Sequence, residues 1–212
     1  MNEKDINHIK PIIGVMSNFL SDQLKKTFTP DEIKLMIDTT HKTFEANIEQ
    51  IPEVGSENPW LTSITGVVWL CGLWLQLEKR GLQIPEISEI TQAALKNFTK
   101  SNIPQEKLQQ IRDIQCSEEF VDNIAQRSQK CTYKDDWIVE KVLPQKGDNF
   151  KIGYNVYQCP IVTYLKQQKL ERFAPYFCLN DYPMFEATGI LLERSCTLAE
   201  GAKYCDFRFK YM

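Results

Sequence analysis

Histidine is almost absent from this chain, which has only two, His8 and His41, in 212 residues. A Ser-His-Asp triad needs an imidazole beside its nucleophile, and Ser195 has none in any motif, so that chemistry is set aside. His41 and Glu45 lie four apart on a predicted helix. A zinc helix of the H-E-x-x-H kind needs a second histidine there, so His41 reads as a structural or surface residue. No clean metal-ligand set is legible, and no cofactor is expected. Paired C-x-x-C motifs are also missing. The seven cysteines are scattered and odd in number, which fits reduced thiols in a cytoplasmic protein rather than a disulfide framework. There is no basic stripe to suit nucleic acid, and no block of like charge; the net charge is −3. The first ten residues lack the basic and apolar regions of an export signal. The most apolar run, Ile64 to Leu77, falls short of the roughly 20 residues that span a bilayer. It reads as a buried core helix, and no membrane partner is expected. Internal repeats and low-complexity segments are absent.

What the chain does have is helical periodicity first and strand alternation last. Apolar residues from Ile9 to Leu24 recur at helical spacing, with Pro11 expected in the first turn. Thr29 is expected to cap a second helix that opens on Pro30 and runs to about Gln50. After a turn-rich link comes the apolar helix Trp60 to Arg80, closed by Gly81. Gly66 and Gly72 thin one flank of it, which suits close packing; a helix this apolar would also suit burial in a homo-oligomer. Shorter amphipathic helices follow, over Glu86 to Lys100, Gln105 to Ile114 and Glu118 to Gln129.

Near Lys134 the period changes to two. Asp136 to Leu143 and Phe150 to Gln158 read as strands, separated by the turn PQKGDN. A helical excursion from Pro160 follows, and then two alternating runs, Ile190 to Leu198 and Lys203 to Tyr211, flank Glu200 and Gly201 as a hairpin. The expected fold is therefore α+β, with N-terminal helices packed on a C-terminal, mainly antiparallel sheet of about four strands. A single domain is expected, with residues 1–133 mainly helical and 134–212 carrying the sheet.

The hairpin holds the most informative residue. Strand alternation puts Arg194 on one face with Ile190, Leu192, Cys196 and Leu198. A guanidinium buried there needs a carboxylate. One source is internal, from Asp181, Glu186 or Asp206; the other is a ligand, whose two oxygens match the planar guanidinium. Cys159 precedes Pro160 at a predicted helix N-cap, where the helix end should lower the thiol pKa and favour a nucleophile; its other reading is a small residue ending a strand. Asp181 serves either as a proton acceptor or, like Asn180, as a helix cap. Cys205 shares the apolar face of Phe207 and Phe209, where an inert thiol is the alternative to a reactive one. Thr197 and Glu200 flank the turn.

The order of motifs in this region, CPIVTYLKQQKL from Cys159, the C-x-x-D of Cys178 to Asp181, LLERSCTLAEG from Leu191 and CDFRF from Cys205, resembles the L-2-amino-thiazoline-4-carboxylic acid hydrolase family over the last quarter to third of the chain. A fainter similarity, a Gly before a C-x-F, links the tail to small-molecule-binding domains of the 4-vinyl-reductase type. The first resemblance implies a hydrolase that opens a cyclic amidine acid to a carbamoyl amino acid, and hence a small-molecule carboxylate as partner. On that footing Cys159, Asp181 and Cys205 are the candidate catalytic residues, and Arg194, Thr197 and Asp206 the candidate substrate-binding ones. The alternatives are a non-catalytic small-molecule sensor, or a biosynthetic enzyme acting on another ring-containing acid.

Overall fold

The computed structural model describes residues 3–212, with side chains from Ile9 onward, so the side chain of His8 lies outside the described residues. The chain forms two compact units, Met1–Phe98 and Thr99–Met212.

The first unit holds α1 (Glu3–Leu24), α2 (Pro30–Asn47), α3 (Leu61–Lys79) and most of α4 (Ile84–Asn102). Because α1 begins at Glu3, Pro11 falls inside the helix and not in its first turn, at the cost of one backbone hydrogen bond. The apolar stripe of α1 faces inward as its period requires: Ile9, Ile13, Met16, Leu20 and Leu24 are buried. Thr29 and Glu32 form a reciprocal capping box around Pro30 at the start of α2. At the far end of α3, Gly81 takes the left-handed φ of +95°, which lets the N–H groups of Gly81 and Leu82 reach back to the carbonyls of Glu78 and Leu77.

By length and composition α3 could cross a membrane, yet 67% of its apolar window is buried, the pattern of a core helix. Trp69 and Trp74 are among its fully buried side chains. Gly72 brings α2 close: a Cβ there would touch Thr40 Cγ2 at 3.4 Å, and Gln76 Nε2 donates to Met36 O and Thr40 Oγ1 across the same seam. Gly66 has no such neighbour.

The second unit begins with α5 (Gln105–Gln115) and α6 (Glu118–Gln129) and carries β1 (Ile138–Val142), β2 (Ile152–Gln158), α7 (Pro160–Gln167), α8 (Ala174–Cys178), α9 (Asp181–Ala187), β3 (Ile190–Glu193) and β4 (Cys205–Tyr211). The fold is α+β as expected. Its four strands lie in the order β1-β2-β4-β3, each pair antiparallel. On one face Tyr154 lies opposite Phe207, and Phe209 opposite both Ile152 and Leu192. The rings of Tyr154 and Phe207 stack with centroids 4.9 Å apart, and Phe185 of α9 meets Phe209 at the same distance. On the other face Arg208 lies across Gly153 and donates to Phe207 O and Asn155 Oδ1.

The hairpin is narrower than its alternation predicts. Only Ile190–Glu193 pairs with β4, and the stretch up to Leu198 leaves the ladder. The cause is Asp206, whose Oδ1 accepts from Ser195 N and Cys196 N, both at 2.8 Å, while Oδ2 accepts from Ser195 Oγ. A side chain thus takes the donors that a longer β3 would have offered to a strand.

Two glycines test this packing in opposite directions. A Cβ at Gly153 would sit 2.5 Å from Phe207 O, so Gly153→Ala should destabilise the protein by about 2 kcal/mol in urea unfolding. Gly66→Ala, on a helix with open space around it, should be neutral or stabilise by up to about 1 kcal/mol. A Gly153→Ala midpoint equal to that of wild type would contradict the close approach.

Candidate active site

Arg194 leaves the end of β3 with its side chain only 2% exposed. Nη1 donates to Asp181 Oδ2 at 2.7 Å and Nη2 to Cys178 O at 2.8 Å. The guanidinium carbon also lies 4.9 Å from the centre of the Phe207 ring and 5.2 Å from that of Tyr182, within cation–π range of both. Of the internal carboxylates open to it, Asp181 is the partner found. Burial is the largest single influence and opposes the Arg194 charge, but Asp181 together with Cys178 and Tyr182 holds the guanidinium above the ordinary arginine value. The Asp181 side chain keeps 36% of its surface exposed, yet the packing around its carboxyl lifts it above the usual carboxylate range against the charge and hydrogen bond of Arg194.

Two polar atoms at this cluster have no partner. Arg194 Nε and Asn180 Oδ1 are both buried without a hydrogen bond. Asn180, 6% exposed, holds the N-cap position of α9 but makes no capping bond there, so the reading of Asn180 as a helix cap does not hold. Asp181 is the first residue of α9, with its carboxylate turned to Arg194. A buried polar atom left unpaired costs about 1–3 kcal/mol, so two beside one ion pair call for an explanation.

Three thiols feel the charge of Asp181. Cys159 is the N-cap of α7, as its place before Pro160 suggests, but the consequence drawn from that position is reversed. Burial pushes the thiol up to about 12, although the backbone N–H groups of Val162 and Ile161 pull it down; the negative charge of Asp181 adds to the rise. The helix end is present, and desolvation is the larger effect. Burial likewise raises Cys178, helped by Asp181. Cys205 is also raised by burial, while its Sγ accepts a hydrogen bond from Leu198 N at 3.2 Å. The charges of Asp181 and Arg194 both reach Cys178, Cys205 and the buried Tyr154.

Thr197 and Asp206 are engaged within the loop between β3 and β4. Thr197 Oγ1 accepts from Glu200 N and donates to Glu200 Oε2, closing a single 3-10 turn before Gly201 at φ +88°. Burial would raise Asp206, but its hydrogen bonds from Ser195 and Cys196 prevail and leave it below the usual carboxylate value.

The first unit contains a Ser–His contact that the sequence did not suggest. Ser17 Oγ lies 3.4 Å from His41 Nε2. Trp69 Nε1 donates to His41 Nδ1 at 3.3 Å, which puts the proton of a neutral ring on Nε2, facing the serine. In that tautomer His41 cannot accept the Ser17 proton, and Ser17 already donates to Ile13 O. Glu45 pairs with Lys10 at 3.0 Å. Among the described residues no group of three or more His, Cys, Asp and Glu side chains is placed to hold a metal.

The sequence profile of a family described as L-2-amino-thiazoline-4-carboxylic acid hydrolase matches residues 73–209, well over half the chain. The chain belongs to this family. The match reaches from within α3 to β4 and includes Cys159, Cys178, Asn180, Asp181, Arg194 and Cys205. It extends far upstream of the motifs that carried the resemblance, so helices α4 to α6 are part of the hydrolase family pattern. No curated protein and no solved structure matches the chain.

With its thiol near 12, Cys159 should carry thiolate in only about one molecule in ten thousand at pH 8. Iodoacetamide at that pH, followed by peptide mass mapping, should label the exposed Cys131 at least about tenfold faster than Cys159. Equal rates would show that the helix end, and not desolvation, governs this thiol.

Proposed function

We propose that this protein hydrolyses a small cyclic amidine acid of the 2-amino-thiazoline-4-carboxylate class to a carbamoyl amino acid. The observation that carries the reading is a buried arginine, already paired with a carboxylate and ringed by aromatic side chains and thiols, in a chain of this hydrolase family. The carboxylate of the substrate takes the place of Asp181 on Arg194, a geometry the planar guanidinium favours. Asp181 then loses the positive neighbour that pulled its pKa down, and its affinity for a proton rises toward the range in which a general base works at neutral pH. Substrate binding in this way both fills the site and prepares the base.

Water is the nucleophile in this reading, because a thiol near 12 is costly to ionise. The oxygen of water bonds to the ring carbon between nitrogen and sulfur, the carbon–sulfur bond breaks, and the two protons of the water finish on the ring nitrogen and the released sulfur. Asp181 accepts the first proton and returns it. Cys159, Cys178 and Cys205 stay as thiols and keep the surroundings of the base poor in water. A second reading, a small-molecule sensor without turnover, draws on the fact that Arg194 and Asp181 are paired with each other.

Turnover of 2-amino-thiazoline-4-carboxylate separates the two. Asp181→Asn should lower kcat by about 10²- to 10⁴-fold. Arg194→Lys should act mainly on KM, raising it by about tenfold or more as the two-point contact is lost. Cys159→Ala should keep kcat within about tenfold, since the thiol is not ionised. An inactive Cys159→Ala together with a covalent adduct on wild-type Cys159 would make the thiol the nucleophile; binding with no turnover would leave the sensor.

A further inference from the structure

The proposed exchange on Arg194 accounts for one end of the substrate and leaves two atoms unexplained. Arg194 Nε is a buried donor without an acceptor, and Asn180 Oδ1 a buried acceptor without a donor. Nε belongs to the guanidinium itself, and Asn180 stands between Cys178 and Asp181, which bind that guanidinium through a backbone carbonyl and a carboxylate. Asn180 has helical φ and ψ of −64° and −22°, not the extended backbone of a capping residue, so its oxygen makes no bond to the N–H groups of its own helix. At 6% exposure it does not depend on bulk water either. A lone acceptor and a lone donor that do not bond each other are completed by a ligand with a donor and an acceptor of its own.

We infer that Asn180 is the specificity-determining residue for the amidine end of the ligand: its Oδ1 accepts an N–H from the amino-substituted ring carbon while Arg194, Nε included, holds the carboxylate at the other end. The ligand is the one of the proposed function, an amidine and a carboxylate on one small ring. This rests on the proposed placement of the carboxylate on Arg194, and it adds what that placement does not supply, a preference for nitrogen over carbon on the reacting carbon. A ring with a methyl group in place of the amino group has nearly the same size and the same carboxylate, but it leaves the Asn180 oxygen unpaired. Sites built to satisfy a buried polar group discriminate strongly against ligands that lack the complement.

The test is calorimetric binding of two probes, 2-amino-thiazoline-4-carboxylate and 2-methyl-thiazoline-4-carboxylate, to the full chain, with turnover of the first recorded alongside. Wild type should bind the amino probe about 10- to 100-fold more tightly than the methyl probe, as expected when the methyl probe leaves a buried acceptor unpaired. Asn180→Leu should bring the two affinities together by weakening the amino probe alone. Asn180→Asp keeps an acceptor oxygen in the same shape and should retain the preference, which guards against a folding defect in the leucine variant. Equal affinities in wild type, or absence of binding by both probes, overturns the inference; so does a leucine variant that loses both probes equally or keeps the wild-type ratio. A preserved preference without turnover leaves Asn180 in its role and removes the hydrolase reading, so the two failures are distinct.

Discussion

A full positive charge taken out of water governs the second unit. Arg194 is tolerable there only because a carboxylate, a backbone carbonyl and two aromatic faces surround it at once. They come from three elements: Cys178 ends α8, Asp181 and Tyr182 open α9, and Phe207 lies on β4. Helix positions, strand register and the path of the loop after β3 are thus tied to one side chain. Its surroundings also explain why the nearby thiols stay protonated, since the dehydration that strengthens the ion pair penalises every other charge in reach.

That arrangement makes Asp181 the adjustable group. Its partly exposed carboxyl is held between local desolvation, which favours its neutral form, and Arg194, which favours its charged form. In the proposed function a substrate carboxylate would compete for the same guanidinium and so couple binding to the proton affinity of Asp181.

Much of this was legible from the residues. Period-two alternation placed Arg194 on an apolar face, the rule that buried charge seeks its opposite named Asp181 among three partners, and Pro160 marked Cys159 as a helix N-cap. The thiol pKa was misjudged because position on a helix is local while desolvation is set by distant packing, here by residues far apart in sequence. The extent of β3 was overstated for a related reason: alternation continues through Ser195 to Leu198, but the carboxylate of Asp206 claims the backbone donors, and nothing in the pattern signals that competition. Asn180 looked like an ordinary cap, and only its unsatisfied oxygen sets it apart. In α4 to α6 this chain shows helical spacing without distinctive residue types, so the resemblance is legible only in the tail although the family match begins at residue 73.

Shortening β3 has a further result at the rim of the sheet. The two outer strands, β1 and β3, are five and four residues long, whereas the inner pair, β2 and β4, have seven each. The open edges thus offer few free backbone groups to a neighbouring molecule, and the charged side chains of Glu140 and Glu193 stand exposed along them. Strand-to-strand joining of two copies, the usual route by which an unprotected sheet aggregates, is discouraged at the β3 edge by the same loop that delivers the arginine to its site, and at the β1 edge by Ser128, whose hydroxyl bonds both backbone groups of Val139.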